Sequence, residues 1–526
     1  MRRRDVLIAG LAVVPSVMLG ACAPHSGAQG SGSADVLRAA TDLEPATFDW
    51  HQSTSSGTQL AAIQVLETLY SLDKTYTPVP QLASAMPTVS RDRLMYTIPL
   101  RKNVAFHGGD AMSADDVVAS LQRWGRVSGT GQAMFEHVDR IRATSNSEVQ
   151  ITLSSPYDVV RVLAVPISAA AIMPAKVLKK LGDDPIDDVT QIVGTGPYKF
   201  TEWSKGQRYV LERFSDYRPA RNGASGGLAS ARPATYKRVE VNFVTDATTR
   251  LQSTSSGQYD IGLKIPGALY NDLKNATNVS PNAVSPFYSS FLLLNTAQPP
   301  FGNPQVRRAT ALALDRKSLA DTTYGMSTLY TLNGALYPHG MGPLSTQAGI
   351  TSYSQDVGKA KSLLEESGYN GEPVRLVASK DVLEEYNASI AVEQQLQAVG
   401  FNVKIDVMDS ASISDRVHKR TGWSIRITAF GVGYVLPSSH LLLNGHYPFE
   451  GWYGKDGAIK EKLAQWDTAT SDEERSRVMD GIQTQFYQDV PAIKLNDYAM
   501  TVAVSHTVDF GDQSFYWPTW WSVRPQ

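Results

Sequence analysis

Apolar residues recur along this chain with two periods, and the two periods take turns. Residues 239–244, Val-Glu-Val-Asn-Phe-Val, alternate apolar and polar, which predicts a strand with one buried face. Within 356–367, Ala360, Leu363 and Leu364 share one stripe, which predicts a helix with Gly368 just past its end. A strand over 374–378, a helix over 384–399, Gly400 and a strand over 401–406 read as a βαβ-like unit. Ser113-Ala114-Asp115-Asp116 has the form of a capping box, and Val117, Val118, Leu121 and Trp124 follow at helical spacing. Asn303-Pro304 opens another helix, with Val306, Ala309 and Ala313 along one side and Arg307 and Arg308 off that stripe. Strands interleaved with amphipathic helices predict an α/β protein with more than one sheet. No apolar run after residue 22 is long enough to span a bilayer, and no fixed-period repeat is evident.

The start of the chain follows a different pattern. Arg2, Arg3 and Arg4 precede a mostly apolar run over 6–21 that contains Pro15 and Gly20 and falls short of a spanning helix. Residues 1–21 therefore read as an export signal. The run ends Leu19-Gly20-Ala21-Cys22, which resembles the lipobox of bacterial lipoproteins, so Cys22 is the expected site of lipidation. Arg3-Arg4-Asp5-Val6-Leu7 resembles a twin-arginine motif, which leaves twin-arginine and general secretory export both open. Residues 22–35 are largely Gly, Ser, Ala, Pro and Gln, a composition that suits a flexible tether.

Composition narrows the classes further. The chain has 526 residues, 42% hydrophobic and 19% charged, as in an ordinary globular protein of more than one domain. Lys plus Arg is 49 against 51 for Asp plus Glu, which argues against nucleic acid as a partner. Cys22 is the only cysteine, so an internal disulfide and a cysteine-based zinc site are both excluded.

From about residue 36 onward, a series of segments resembles the peptide/nickel/oligopeptide class of ABC-transporter solute-binding proteins, bacterial extracellular solute-binding protein family 5. Residues 96–124, YTIPLRKNVAFHGGDAMSADDVVASLQRW, resemble the family's LRxxVxFHxG strand, turn and AxDV helix. Val193-Gly194-Thr195-Gly196-Pro197-Tyr198 resembles its GTGPY turn. Residues 245–250 and 257–261 resemble its DAxTR and GxxDI pair, and 300–316 resembles PF…VRxA…AxDR. Their order from residue 96 to residue 316 carries the resemblance.

The resemblance implies a bilobed α/β clamp of the periplasmic-binding-protein type, in its large three-domain form. The first lobe is expected over 36–60, 186–285 and 500–526, an inserted extra domain over 61–185, and the second lobe over 286–499. It implies a small-molecule solute held between the lobes, ABC permease and ATPase subunits as partners, a monomer, no cofactor and no enzymatic activity. The expected location is the periplasm or outer face of the cytoplasmic membrane, through the lipid anchor. A sensing or scaffolding receptor on the same fold and an envelope hydrolase are the alternatives.

Gly223-Ala224-Ser225-Gly226-Gly227 matches the GxSxG pattern of serine hydrolases, but no apolar strand precedes it, and it reads as a surface loop. His107 has no metal-ligand neighbours at suitable spacing and reads as structural; His440 and His446 lack a metal-binding arrangement, so no metal is expected. The aromatic tail, Phe515 to Trp521, is expected in the core. The family's ligand loop resembles residues 429–437, which puts Phe430 at its aromatic position, with Gly431, Gly433 and Tyr434 beside it. Gly433 stands where peptide-binding members carry the Asp that pairs with an α-ammonium, and Leu436 where a second acid usually stands. Glu44 and Trp50 complete the expected site, and Asp42, Glu44 or Asp49 could replace the missing acid. The expected solute is not a simple peptide held by its free α-ammonium, but an uncharged or sugar-containing molecule such as a short glycan, glycoside or opine-like conjugate.

Overall fold

Most of the strands join one continuous sheet, because two long strands cross its middle and carry pairing partners on both sides. The computed structural model describes residues 35–221, 226–431, 436–440, 442–443, 458–513, 515 and 517–526. Eleven strands follow the order Val403–Val407, Val374–Ala378, Ile425–Gly431, Val279–Leu294, Ala492–Ser505, Ile261–Gly262, Val36–Thr41, Arg238–Phe243, Arg208–Arg213 and Tyr198–Ser204, with Tyr330–Thr331 paired to Ala492–Ser505 off this path. The crossing strands Val279–Leu294 and Ala492–Ser505 are antiparallel, and their register shifts between Val284 and Tyr288. Such an irregularity bends and twists a strand pair locally.

Each flank of the crossing pair contains parallel strands. Val36–Thr41 is parallel to both Arg238–Phe243 and Ile261–Gly262. Val374–Ala378 is parallel to Val403–Val407 and Ile425–Gly431. The βαβ unit is present: helix Leu383–Val399 links Val374–Ala378 to Val403–Val407 and ends on Gly400 at φ 118°, a left-handed position that suits glycine. The second strand starts two residues later than the pattern predicts, because the Asn402 N–H is taken by the Tyr369 hydroxyl at 2.9 Å.

The other predicted helices form as their caps suggest. Ser113 Oγ accepts from the Asp116 N–H and Asp116 accepts from the Ser113 N–H, at the start of helix Ala114–Val127. Val117, Leu121 and Trp124 are buried, and Val118 packs beside them. Asn303 caps helix Pro304–Ala313, and Asp356 caps Val357–Glu366, where Ala360 and Leu364 are buried. A separate four-stranded sheet has the order Thr88–Val89, Met95–Pro99, Glu148–Leu153 and Val138–Ser145.

Two sequence motifs lock together near helix Ser56–Val65. His107 Nδ1 accepts from the Gly194 N–H at 3.2 Å, and its Nε2–H donates to the Gly196 carbonyl at 3.0 Å. Burial holds its pKa down to about 4, so the ring stays neutral and structural. A Cβ on Gly194 would lie 2.1 Å from the Val65 carbonyl oxygen, which explains the glycine there. The tail behaves as expected of core: Phe515, Trp517, Trp520 and Trp521 are buried, and Gln64 ties it down through the Pro518 carbonyl and the Trp520 N–H. Tyr516, Cys22, His446 and most of the GxSxG segment lie outside the described residues. No helix among the described residues is long and apolar enough to cross a membrane.

Candidate functional site

The carboxyl ends of both parallel strand sets open onto one cleft above the crossing strands. Open α/β sheets bind ligands at such ends, because the loops leaving them are free of the sheet's hydrogen bonding. The cleft has a volume of about 680 Å³, within the usual range for small-molecule sites. One wall is built by Asp42, by residues 245–250 and by residues 264–269, which follow Val36–Thr41, Arg238–Phe243 and Ile261–Gly262. The opposite wall is built by residues 380–385, which follow Val374–Ala378, together with Ala429.

The floor is aromatic. Tyr288 and Tyr498 face each other across the crossing strands, with rings stacked at 5.8 Å and an interplanar angle of 26°. Tyr324 adds a third ring, 5.1 Å from Tyr498. Burial raises the pKa of the Tyr324 and Tyr498 phenols, so both are neutral hydrogen-bonding groups. Phe287 borders the floor and packs edge-on to Tyr288 at 4.3 Å.

The first wall is held by its own charges. Asp246 caps helix Ala247–Ser255 through the Thr249 N–H at 2.7 Å. Arg250, buried on the same helix, donates to the carbonyls of Val244, Thr245, Leu263 and Lys264 at 2.7 to 3.1 Å. Its guanidinium ties two loops together. Lys264, in the left-handed region at φ 50°, pairs with Asp42 at 3.1 Å.

Side chains on the second wall are less committed. Asp381 accepts from the Ser410 N–H and hydroxyl, and Lys380 Nζ lies 5.6 Å from the Tyr386 ring centre. Glu384 makes no hydrogen bond or ion pair with another described residue. The pKa of Glu385 is pushed up to about 7 by burial, although Arg426, Thr428 and the Ala429 N–H favour its charged form. Val382 and Leu383 are 39% and 49% exposed beside them, high values for apolar side chains.

The expected site residues separate into three groups. Gly433 and Tyr434 lie outside the described residues. Gly431 pairs with Tyr288 at the edge of the cleft. Phe430 is buried and points away from the lining residue Ala429, onto Phe291 at 5.8 Å and His440 at 5.2 Å. Trp50 is buried with its indole N–H donated to the Pro166 carbonyl at 2.8 Å. Glu44 accepts from the Trp203 indole and from the Gly206 N–H, both at 2.8 Å. Asp49 is held at 2.6 Å by Arg123 in a buried pair joined by His51. Of the three acids that could replace the missing carboxylate, only Asp42 lines the cleft.

Sequence reasoning missed Tyr288, Tyr324, Tyr498, Glu384 and Glu385. A usable signal existed for the last two, which open a helix just after a parallel strand in the βαβ unit. Among the described residues no group of His, Cys, Asp and Glu could hold a metal ion.

Comparison with known proteins decides the family. The sequence model of the bacterial extracellular solute-binding proteins, family 5, middle region, matches residues 77–448. The chain belongs to this family. It is 27% identical over 528 residues to the probable peptide ABC transporter periplasmic-binding protein y4tO of Sinorhizobium fredii, covering 96% of each chain. It is 28% identical over 406 residues to the glutathione-binding protein GsiB of Pectobacterium atrosepticum, covering 73% of this chain and 72% of that one. The structure of AgaA from A. tumefacien in complex with agropinic acid superposes with a TM-score of 0.74 at 25% identity, over 93% of this chain and 99% of that one. The fold is therefore the α/β periplasmic-binding-protein fold of family 5, and the chain is an extracytoplasmic solute-binding protein of the ABC-transport class.

Proposed function

We propose that this chain captures a small solute in the cleft over the crossing strands, closes on it, and delivers it to the permease and ATPase subunits of an ABC importer. The observation that carries this reading is the cleft itself, about 680 Å³ between the loops of two parallel strand sets joined by two long strands. Two walls joined in this way can rotate about the crossing strands, with little repacking inside either wall. The moving bodies are taken as residues 36–60, 186–285 and 500–526 on one side and 286–499 on the other, with 61–185 as the inserted domain. Gly431, which pairs with Tyr288, is assigned to the rim.

Cys22 is taken as the lipidated residue that retains the protein outside the cytoplasmic membrane, with 22–35 as its tether. Capture requires no activated nucleophile, and the chain is read as a monomeric carrier without turnover. Native mass spectrometry of protein purified from its host should show a bound small molecule. Returning that molecule to stripped protein at 100 Kd should stabilise it by about 2.7 kcal/mol. Protein that arrives empty and gains no stability from any solute of the host's medium contradicts capture. Cys22→Ala should release the chain from membranes or stall its processing; unchanged retention and processing contradicts the lipid anchor.

A further inference from the structure

The charges lining the cleft do not cancel. Among its described lining residues are the carboxylates of Asp42, Asp246, Asp381, Glu384 and Glu385, against three cationic side chains, Arg250, Lys264 and Lys380. The cations are all engaged, and among the carboxylates Glu384 alone makes no hydrogen bond or ion pair with a described residue. Arg250 spends its donors on four backbone carbonyls, Lys264 is paired with Asp42, and Lys380 leans on Tyr386. Glu384 makes no hydrogen bond or close ion pair with a described residue, although the Arg250 charge acts on it, and both it and Glu385 act electrostatically on the phenols of Tyr324 and Tyr498. Two carboxylates thus stand over a floor of aromatic rings in a recess.

We infer that the captured solute carries a protonated amine, whose ammonium is held by Glu384 and Glu385 above the faces of Tyr498 and Tyr324. This rests on the capture reading and specifies its ligand. A carboxylate withdrawn from water without a full complement of positive charge is held at a cost, and an arriving ammonium removes it. The raised pKa of Glu385 is the sign of that cost in the open cleft: burial dominates, and Arg426 only partly offsets it. Aromatic faces add attraction for a desolvated cation, through their negative quadrupole. Val382 and Leu383, exposed on the same turn, supply apolar surface for the carbon skeleton beside the amine. The acids of this reading are Glu384 and Glu385, and it asks nothing of Gly433, which lies outside the described residues.

Two kinds of molecule offer this chemistry: the amino terminus of a short peptide, and the secondary amine of a sugar–amino-acid conjugate. The test identifies the solute released from the purified protein and then titrates stripped protein by calorimetry. The probes are di- to pentapeptides, mannityl amino acids, the N-acetylated form of each, and neutral disaccharides. The expected result is a released solute with a basic nitrogen, and binding of one amine-bearing set that weakens about tenfold or more on acetylation. The joint change Glu384→Gln and Glu385→Gln should weaken the same binding to a similar degree without lowering the melting temperature. Which set binds distinguishes peptide from conjugate. A released solute without a basic nitrogen, acetylated probes or disaccharides that bind equally well, or unchanged affinity in the double variant overturns the amine and leaves capture standing. A protein that releases no solute and binds none defeats capture itself.

Discussion

The two walls of the cleft are made alike and used differently. Both consist of loops leaving the carboxyl ends of parallel strands, and both carry several charged side chains. On the first wall those charges are consumed by the backbone or by each other, through Arg250 with four carbonyls and Lys264 with Asp42. On the second wall Glu384 and Glu385 stand over the aromatic floor beside exposed Val382 and Leu383. On the amine reading the first wall is the fixed jaw and the second the recognising one. Counting charged residues would not separate them; following each donor to its acceptor does.

The largest expected effect tests which side of the second wall faces solute. Phe430→Ala should lower stability by about 3–5 kcal/mol, since it empties a packed ring site against Phe291 and His440. Affinity should change much less. Measuring both on one variant decides the matter: lost affinity at an unchanged melting point would place the ring in the cleft.

Arg250→Leu should come next, at about 3 kcal/mol or more, because it strands buried carbonyls that the guanidinium now satisfies. Chemical denaturation would register the loss. A fully stable variant with lost affinity would make Arg250 a ligand contact and erase the contrast between the walls.

A pH series sharpens the comparison more finely. The folded pKa of Glu385, about 7, lies above its ordinary value of 4.5, so the folded state binds the extra proton between them. Its contribution to stability is full below the ordinary value and is lost as pH rises through about 7. Melting curves at about pH 5 and about pH 7.5 should show Glu385→Gln gaining on the parent protein at the higher pH. Amine binding should run the other way, weakening as pH falls below about 7 and Glu385 takes up its proton. Parallel curves for the two proteins would remove Glu385 from the account. His440 must be read separately: burial and Lys494 hold it down to about 3, so its contribution is lost as pH falls below its ordinary 6.5.

The smallest effect is expected at Glu44. Its carboxylate is occupied by the Trp203 indole and the Gly206 N–H, so Glu44→Gln should leave affinity within about 0.5 kcal/mol of the parent. A tenfold loss would return Glu44 to the site.

Local pattern made much of the fold legible in advance. The capping box at Ser113, the Asn303-Pro304 start and the βαβ unit closed by Gly400 each depend on neighbours within a turn or two, and each is present. The aromatic tail could also be read as core, since so many rings need burial. The site was harder, for a physical reason. Tyr288, Tyr324 and Tyr498 meet only because two long strands cross and shift register between Val284 and Tyr288, which no local periodicity encodes. Family likeness drew attention to the aromatic position at Phe430, yet strand alternation turns Ala429 to the cleft and Phe430 away from it. Glu44 was the acid expected in the site, with Asp42 and Asp49 as substitutes, and their partners tell the three apart.

Solution X-ray scattering of the stripped protein, before and after saturation with the solute it releases, tests the central claim most directly. Closure of the two walls over the floor should shrink the radius of gyration, and return of the solute should raise the melting temperature in the same samples. A solute that saturates the protein with no change in either quantity would contradict capture by closure of this cleft.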